Sequence, residues 1–204
     1  MKKLFLGFLA LATLTFSGCN EADRLASKVA GTWSSTPQML VNDAGSQATI
    51  VESVTFERDS DKAGGTVVFT GMISCTGAMT GSDAVVQPFE MAASARSTVT
   101  GQWTAVDDDE IMLSLDIDKM TVDVDPSALV ISGNVLSGST ESNPETLKPQ
   151  MAAMVQAALR RQLVARYTSM NRLDDVDLKD KDTVLKFEVG KKDYVYTSQA
   201  PMAK

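Results

Sequence analysis

The feature that most constrains this chain is a two-residue hydrophobic period that recurs from Ile50 to Ile117. Between Ile50 and Glu57, Ile50, Val54 and Phe56 share one face and Val51, Ser53 and Thr55 the other. Glu52 falls in the apolar phase and reads as a strand end, with the rim of a cavity as the alternative. Residues 58–65, polar and closed by Gly64-Gly65, form a turn, and Thr66 to Ser74 returns with Val67, Phe69 and Ile73 in phase. Phe89 to Val106 alternates again, with small residues along its apolar face. The acidic turn Asp107-Asp108-Asp109-Glu110 then leads into Ile111, Leu113, Leu115 and Ile117. Only strands carry this period, because successive side chains point to opposite faces of a sheet. The expected class is mainly β: a single antiparallel meander or barrel-like domain of about eight strands.

The apolar phase moves from odd to even positions between Ile117 and Met120. A one-residue slip turns every side chain to the other face, so a bulge or tight turn is expected at Asp118-Lys119. Ala128 to Val135 reads as a strand. Pro37 to Ser46, Thr76 to Gln87 and Gly138 to Pro144 read as loops, and Asn171 to Lys181 as a charged connector. Thr183 to Val189 and Tyr194 to Thr197 form a closing hairpin. One stretch changes period. From Pro149 to Met170, Met151, Met154, Val155, Ala158, Leu159, Gln162, Leu163, Tyr167 and Met170 follow helical spacing, which predicts one long amphipathic helix near the C-terminus. Its apolar face is expected to cover a sheet face or barrel mouth, with a partner protein as the alternative. A shorter helix is expected through Leu25, Ala26 and Val29, ending at Gly31.

The first residues obey a different logic. Lys2 and Lys3 precede an apolar run from Leu4 to Phe16, too short to span a bilayer, and then Ser17, Gly18 and Cys19. This is the pattern of a signal peptide. Its end resembles the lipobox of bacterial lipoproteins, with Phe16 where an aliphatic residue is usual. The resemblance implies that residues 1–18 are removed and that Cys19 is acylated with fatty chains such as palmitate. Multiple chains hold stably where one would not. Asn20, rather than Asp, follows the cysteine, which in such lipoproteins goes with outer-membrane residence. Residues 19–30 then form a lipidated tether and short helix, and residues 31–198 the β domain.

Charge and composition exclude several functions. The formal charge is −7, and loss of Lys2 and Lys3 makes it −9. Nucleic-acid binding needs clustered Lys and Arg, so no nucleic-acid partner is expected. The chain has no histidine, which removes Ser-His-Asp and Cys-His catalysis and imidazole-ligated zinc or haem. Residues 59–70 begin like a calcium loop, but Ala63 stands where an oxygen ligand is needed and Thr70 where the loop needs a bidentate glutamate. Asp107 to Glu110 reads as a solvated turn. With Cys19 acylated, Cys75 has no disulfide partner, and its apolar setting predicts a buried, inert thiol. No phosphate loop or serine elbow is present. No cofactor, metal or enzymatic activity is expected.

Gly31-Thr32-Trp33, entering the first strand after a short helix, resembles the lipocalins and related calycin barrels. In that family the tryptophan closes the base of an up-and-down barrel, usually under an arginine from the last strand, which this chain lacks. The resemblance implies a lipocalin-like domain binding a small apolar or amphipathic ligand, with Phe56, Phe69, Met91, Trp103 and Leu113 as candidate lining. The alternative is a non-enzymatic structural or assembly-accessory lipoprotein that docks on an envelope protein. An enclosed cavity favours the first and a packed interior the second.

Overall fold

A computed structural model describes residues 17–43, 45–79, 89–132, 136–137, 140–141 and 144–199. The apolar run of the signal peptide, most of the loop expected between Thr76 and Gln87, the end of the strand expected to reach Val135, and parts of the loop expected at Gly138 to Pro144 lie outside these residues. Helix α1 (Ser17–Val29) leads into β1 (Gly31–Ser35), β2 (Gln38–Asp43), β3 (Ser46–Arg58), β4 (Gly64–Met79) and β5 (Phe89–Ala105). The short β6 (Ile111–Leu115), β7 (Thr121–Val124), β8 (Val130–Ser132), β9 (Leu136–Ser137) and β10 (Thr140–Glu141) follow. Helix α2 (Pro144–Ser169) precedes β11 (Arg172–Lys179), β12 (Val184–Val189) and β13 (Lys192–Ser198).

Eight strands close an antiparallel barrel in the order β1, β13, β12, β11, β6, β5, β4, β3, with β3 returning to β1. Within the barrel, closure removes the free edges that would template aggregation. The long hairpins hold the barrel to a larger plan. β3, β4 and β5 run 13, 16 and 17 residues, longer than the barrel needs. Near α1 they pair with β1 and β6. Beyond Glu52 and Thr98 they leave the barrel as a flared sheet, and their outer partners become β2, β7 and β8.

The expected class holds, and several boundaries move. Gln38–Asp43 is a strand where a loop was expected, because it lies in hairpin register on the flared part of β3. β4 continues past Ser74 to Met79 for the same reason, paired throughout to β5. The charged connector is β11, the strand that bridges β6 and β12 and so completes the barrel. Its alternation is broken by a bulge between Asp174 and Asp177, where Asp175 adopts φ 49°, so Leu173 and Val176 are both buried at odd spacing. The phase change at Asp118-Lys119 is a 3-10 turn over Ile117–Lys119. The Arg160 guanidinium from α2 donates to the carbonyls of Met120 and Asp118 beside it.

Both barrel ends are covered. α1 lays Ala22, Leu25, Ala26 and Val29 across one end. There the Trp33 indole N–H donates to the Val29 carbonyl at 2.8 Å, and Arg58 at the end of β3 binds Asp23 and Ser27. α2 begins five residues earlier than Pro149 and packs across β5, β7 and the 3-10 turns on either side of β7. Met151, Val155, Leu159, Leu163 and Tyr167 are buried, whereas Met154 is half exposed and Ala158 and Gln162 face solvent. Its last turn enters the second end of the barrel.

Candidate functional site

The site grows from the level at which the two outer long strands change partners. On β3, Ser53 is still paired to β1 at Ser34, and Ile50 is already paired to β2 at Gln38. Glu52 stands between them, so its backbone N–H is without a β1 or β2 carbonyl. It donates instead to Ser35 Oγ at 3.0 Å. Cross-strand neighbours carry the same level over the sheet: Glu52 lies opposite Gly71, and Gly71 opposite Ser97. All three point inward. A Cβ at Gly71 would stand 2.5 Å from Ser97 Oγ and 2.6 Å from Ile50 Cδ1, so a side chain in the middle of this row would force both of those side chains to shift.

The Glu52 side chain is fully buried and points into the barrel, not toward a strand end as its sequence suggested. A bare carboxylate there would be very unfavourable. Four donors meet it. Arg166 Nε reaches Oε1 at 3.3 Å and Nη2 reaches Oε2 at 2.8 Å, a bidentate pair. The Tyr167 hydroxyl donates to Oε1 at 2.7 Å, and the Tyr196 hydroxyl to Oε2 at 2.5 Å. Arg166 also donates to Gln38 Oε1 at 2.8 Å and lies 5.1 Å from the centre of the Tyr194 ring. Burial opposes the Arg166 charge, but the facing carboxylate outweighs it and holds the guanidinium protonated. Burial first, and then the Glu52 charge, push both tyrosine hydroxyls well above their ordinary range. The Ser97 hydroxyl lies beside Tyr167, buried and without a normal hydrogen bond among the described residues.

This cluster joins three segments far apart in sequence: β3, the end of α2 and β13. Glu52 has no exposed atom, and each of its oxygens accepts two hydrogen bonds, so the cluster binds α2 to the barrel.

The candidate lining residues divide. Phe56 and Trp103 are buried and meet edge to face, 5.2 Å between ring centres. Leu113 lies opposite Trp103 in the β5–β6 register, and the Trp103 indole donates to the Glu57 carbonyl at 3.1 Å. Phe69 packs against Tyr167 at 5.6 Å. These four are packed on protein. Met91 is elsewhere. It lies twelve positions from Trp103 along β5, roughly 40 Å of strand, on the flared sheet and only half buried. Two open grooves lie on the outside: one of about 390 Å³ at the flared tip, lined by Ser46, Gly77, Met91 and their neighbours, and one of about 420 Å³ where β6 leaves β5.

The Cys75 thiol is free and half buried, donates to the Ala93 carbonyl at 3.4 Å, and is pushed up by burial, away from the reactive thiolate. The carboxylates of Asp107, Asp108 and Asp109 gather within 4.8 Å, but the Asp107 side chain already accepts the Asp109 backbone N–H at 3.2 Å, a turn-forming bond. No helix among the described residues is long and apolar enough to cross a membrane. Compared with known proteins, the chain matches no family model, no curated protein and no solved structure.

Proposed function

We propose that the protein is an outer-membrane lipoprotein, held by acyl chains on Cys19, whose β-barrel is a filled, non-enzymatic scaffold docking on an envelope partner. The observation that carries this reading is the occupied interior. Aromatic side chains and the Glu52–Arg166 cluster fill the barrel, and a helix covers each end. The anchor rests on the Lys2-to-Cys19 sequence. For docking, the outer face of the flared sheet offers Val51 opposite Met72, with Met39 one position away diagonally. Met39 and Met72 are each about half exposed, at 51% and 54%. Flexible methionines on an exposed apolar patch suit protein contact. A photo-cross-linking residue in place of Met72, in cells making the full chain, is expected to trap one discrete envelope protein. The same residue in place of the exposed Val195 on β13 is expected to trap none. Equal trapping, or none at either position, contradicts docking through this face.

A second reading has one observation in its favour. The groove at the flared tip contains Met91 and small neighbours beside the polar Asp43, Gln47 and Glu90, and its size suits a small amphipathic ligand. In that reading the lipocalin-like carrier site is outside the barrel.

A further inference from the structure

The anchor and the fold are joined closely enough to set how the protein stands on its membrane. This rests on acylation of Cys19. Only Asn20 and Glu21 separate Cys19 from Ala22, which is already buried on the barrel. That span is about 11 Å when extended and about 4.5 Å along a helix, and α1 runs through it as helix. The lipid is therefore attached to the cap itself. α1 lies with its apolar side on the barrel, and Asp23, Arg24, Ser27 and Lys28 on its exposed side. Arg24 and Lys28 stand one helical turn apart. The β3–β4 turn, the β5–β6 turn and the β11–β12 turn end at the same level, as the bonds of Arg58 to Asp23 and Lys28 to Asp182 show. The β12–β13 turn and the end of α2 are at the other end, one length of β13 or roughly 20 Å away.

We propose that the α1-covered end of the barrel rests on the leaflet that holds the lipid, with Arg24 toward headgroup phosphates and the α2 end pointing away. The acidic Asp107–Glu110 turn is also at the near end, so charge does not draw this end to an anionic surface. The orientation comes from the short covalent link.

The test uses the acylated full-length product purified from membranes and placed in phosphatidylethanolamine-containing vesicles with acceptor dyes on the headgroups. In a Cys75→Ala background, a donor dye is attached at Asp61→Cys in the β3–β4 turn or at Lys191→Cys in the β12–β13 turn. Energy transfer is expected to be several-fold stronger from position 61. Inserting twenty Gly/Ser residues between Asn20 and Glu21, a tether of about 25 Å, is expected to abolish the difference. Native tryptophan provides a measurement without substitution, because Trp33 and Trp103 are both near α1. Their transfer to dansyl headgroups is expected to fall on the same insertion. Equal or reversed transfer in the acylated, uninserted protein overturns the orientation and leaves the anchor standing. A denatured mass without acyl chains overturns the anchor, and the orientation with it.

Discussion

The two ends of the barrel are closed by different physics. At the α1 end the buried seal is apolar: Leu25, Ala26 and Val29 lie on the strand ends, with an indole hydrogen bond from Trp33, and the ion pairs of Arg58 with Asp23 and Lys28 with Asp182 stay at the solvated rim. At the α2 end the seal is a buried ion pair with two tyrosine donors. An apolar seal loses stability in proportion to what is removed from it. A charged seal is complete or very costly, since each partner is acceptable in the interior only while the other is present. The difference follows from the strands. β3 keeps its β1 partner up to the α1 end, but changes partner at Glu52, and the polar groups freed there need partners that apolar side chains cannot supply.

The sharpest way to break the comparison is Arg166→Met. With the pair only 7% and 0% exposed, it is expected to cost about 3–5 kcal/mol in urea unfolding, because Glu52 is left buried without its cationic partner. Adding Glu52→Leu to that variant is expected to restore more than about 1 kcal/mol, a coupling that an apolar seal does not show. At the other end Leu25→Ala is expected to cost about 2–4 kcal/mol, with no second substitution that rescues it. A pH series separates the ends further. Tyr167 and Tyr196 are held protonated in the fold well above the range in which unfolded tyrosine ionises. Between those values the unfolded chain binds fewer protons, so stability is complete below about pH 10 and falls as pH rises above it. Tyr196→Phe is expected to lower stability at neutral pH and flatten this alkaline loss, as read by thermal unfolding at several pH values. The smallest effect is local to the α1 end. Asp180, Lys181 and Asp182 have φ of 51°, 60° and 62°, a left-handed run without glycine. Lys181→Gly is expected to raise stability by about 0.5 kcal/mol in the same assay.

Much of the barrel was legible from period alone. The β3–β4 and β5–β6 hairpins follow from alternation, and the phase change before Met120 marked the 3-10 turn that ends β6. β11 was hidden because its bulge breaks the alternation and its exposed positions carry aspartates. β2 was hidden because it lies on the flared part of β3, where one face is half solvated. The Glu52 cluster left a signal that needed two elements read together. Glu52 is in phase with Ile50, Val54 and Phe56, and Arg166 is three residues after Leu163, beside the buried face of α2. An acid in phase with a core strand and a base beside a core helix face are each unexceptional. What pairs them is the tertiary placement of α2 in the barrel mouth, and no local pattern encodes that.

The central claim, a filled barrel on a lipid anchor, is tested most directly by mass spectrometry of the protein from its own membrane, first denatured and then native. The account predicts a denatured mass beginning at an acylated Cys19 and a native mass that adds nothing to it. A reproducible small-molecule mass, present in the native spectrum, lost on denaturation and not a detergent, would contradict the filled scaffold and move the function to the carrier reading. An unacylated terminus at another residue would contradict the anchor.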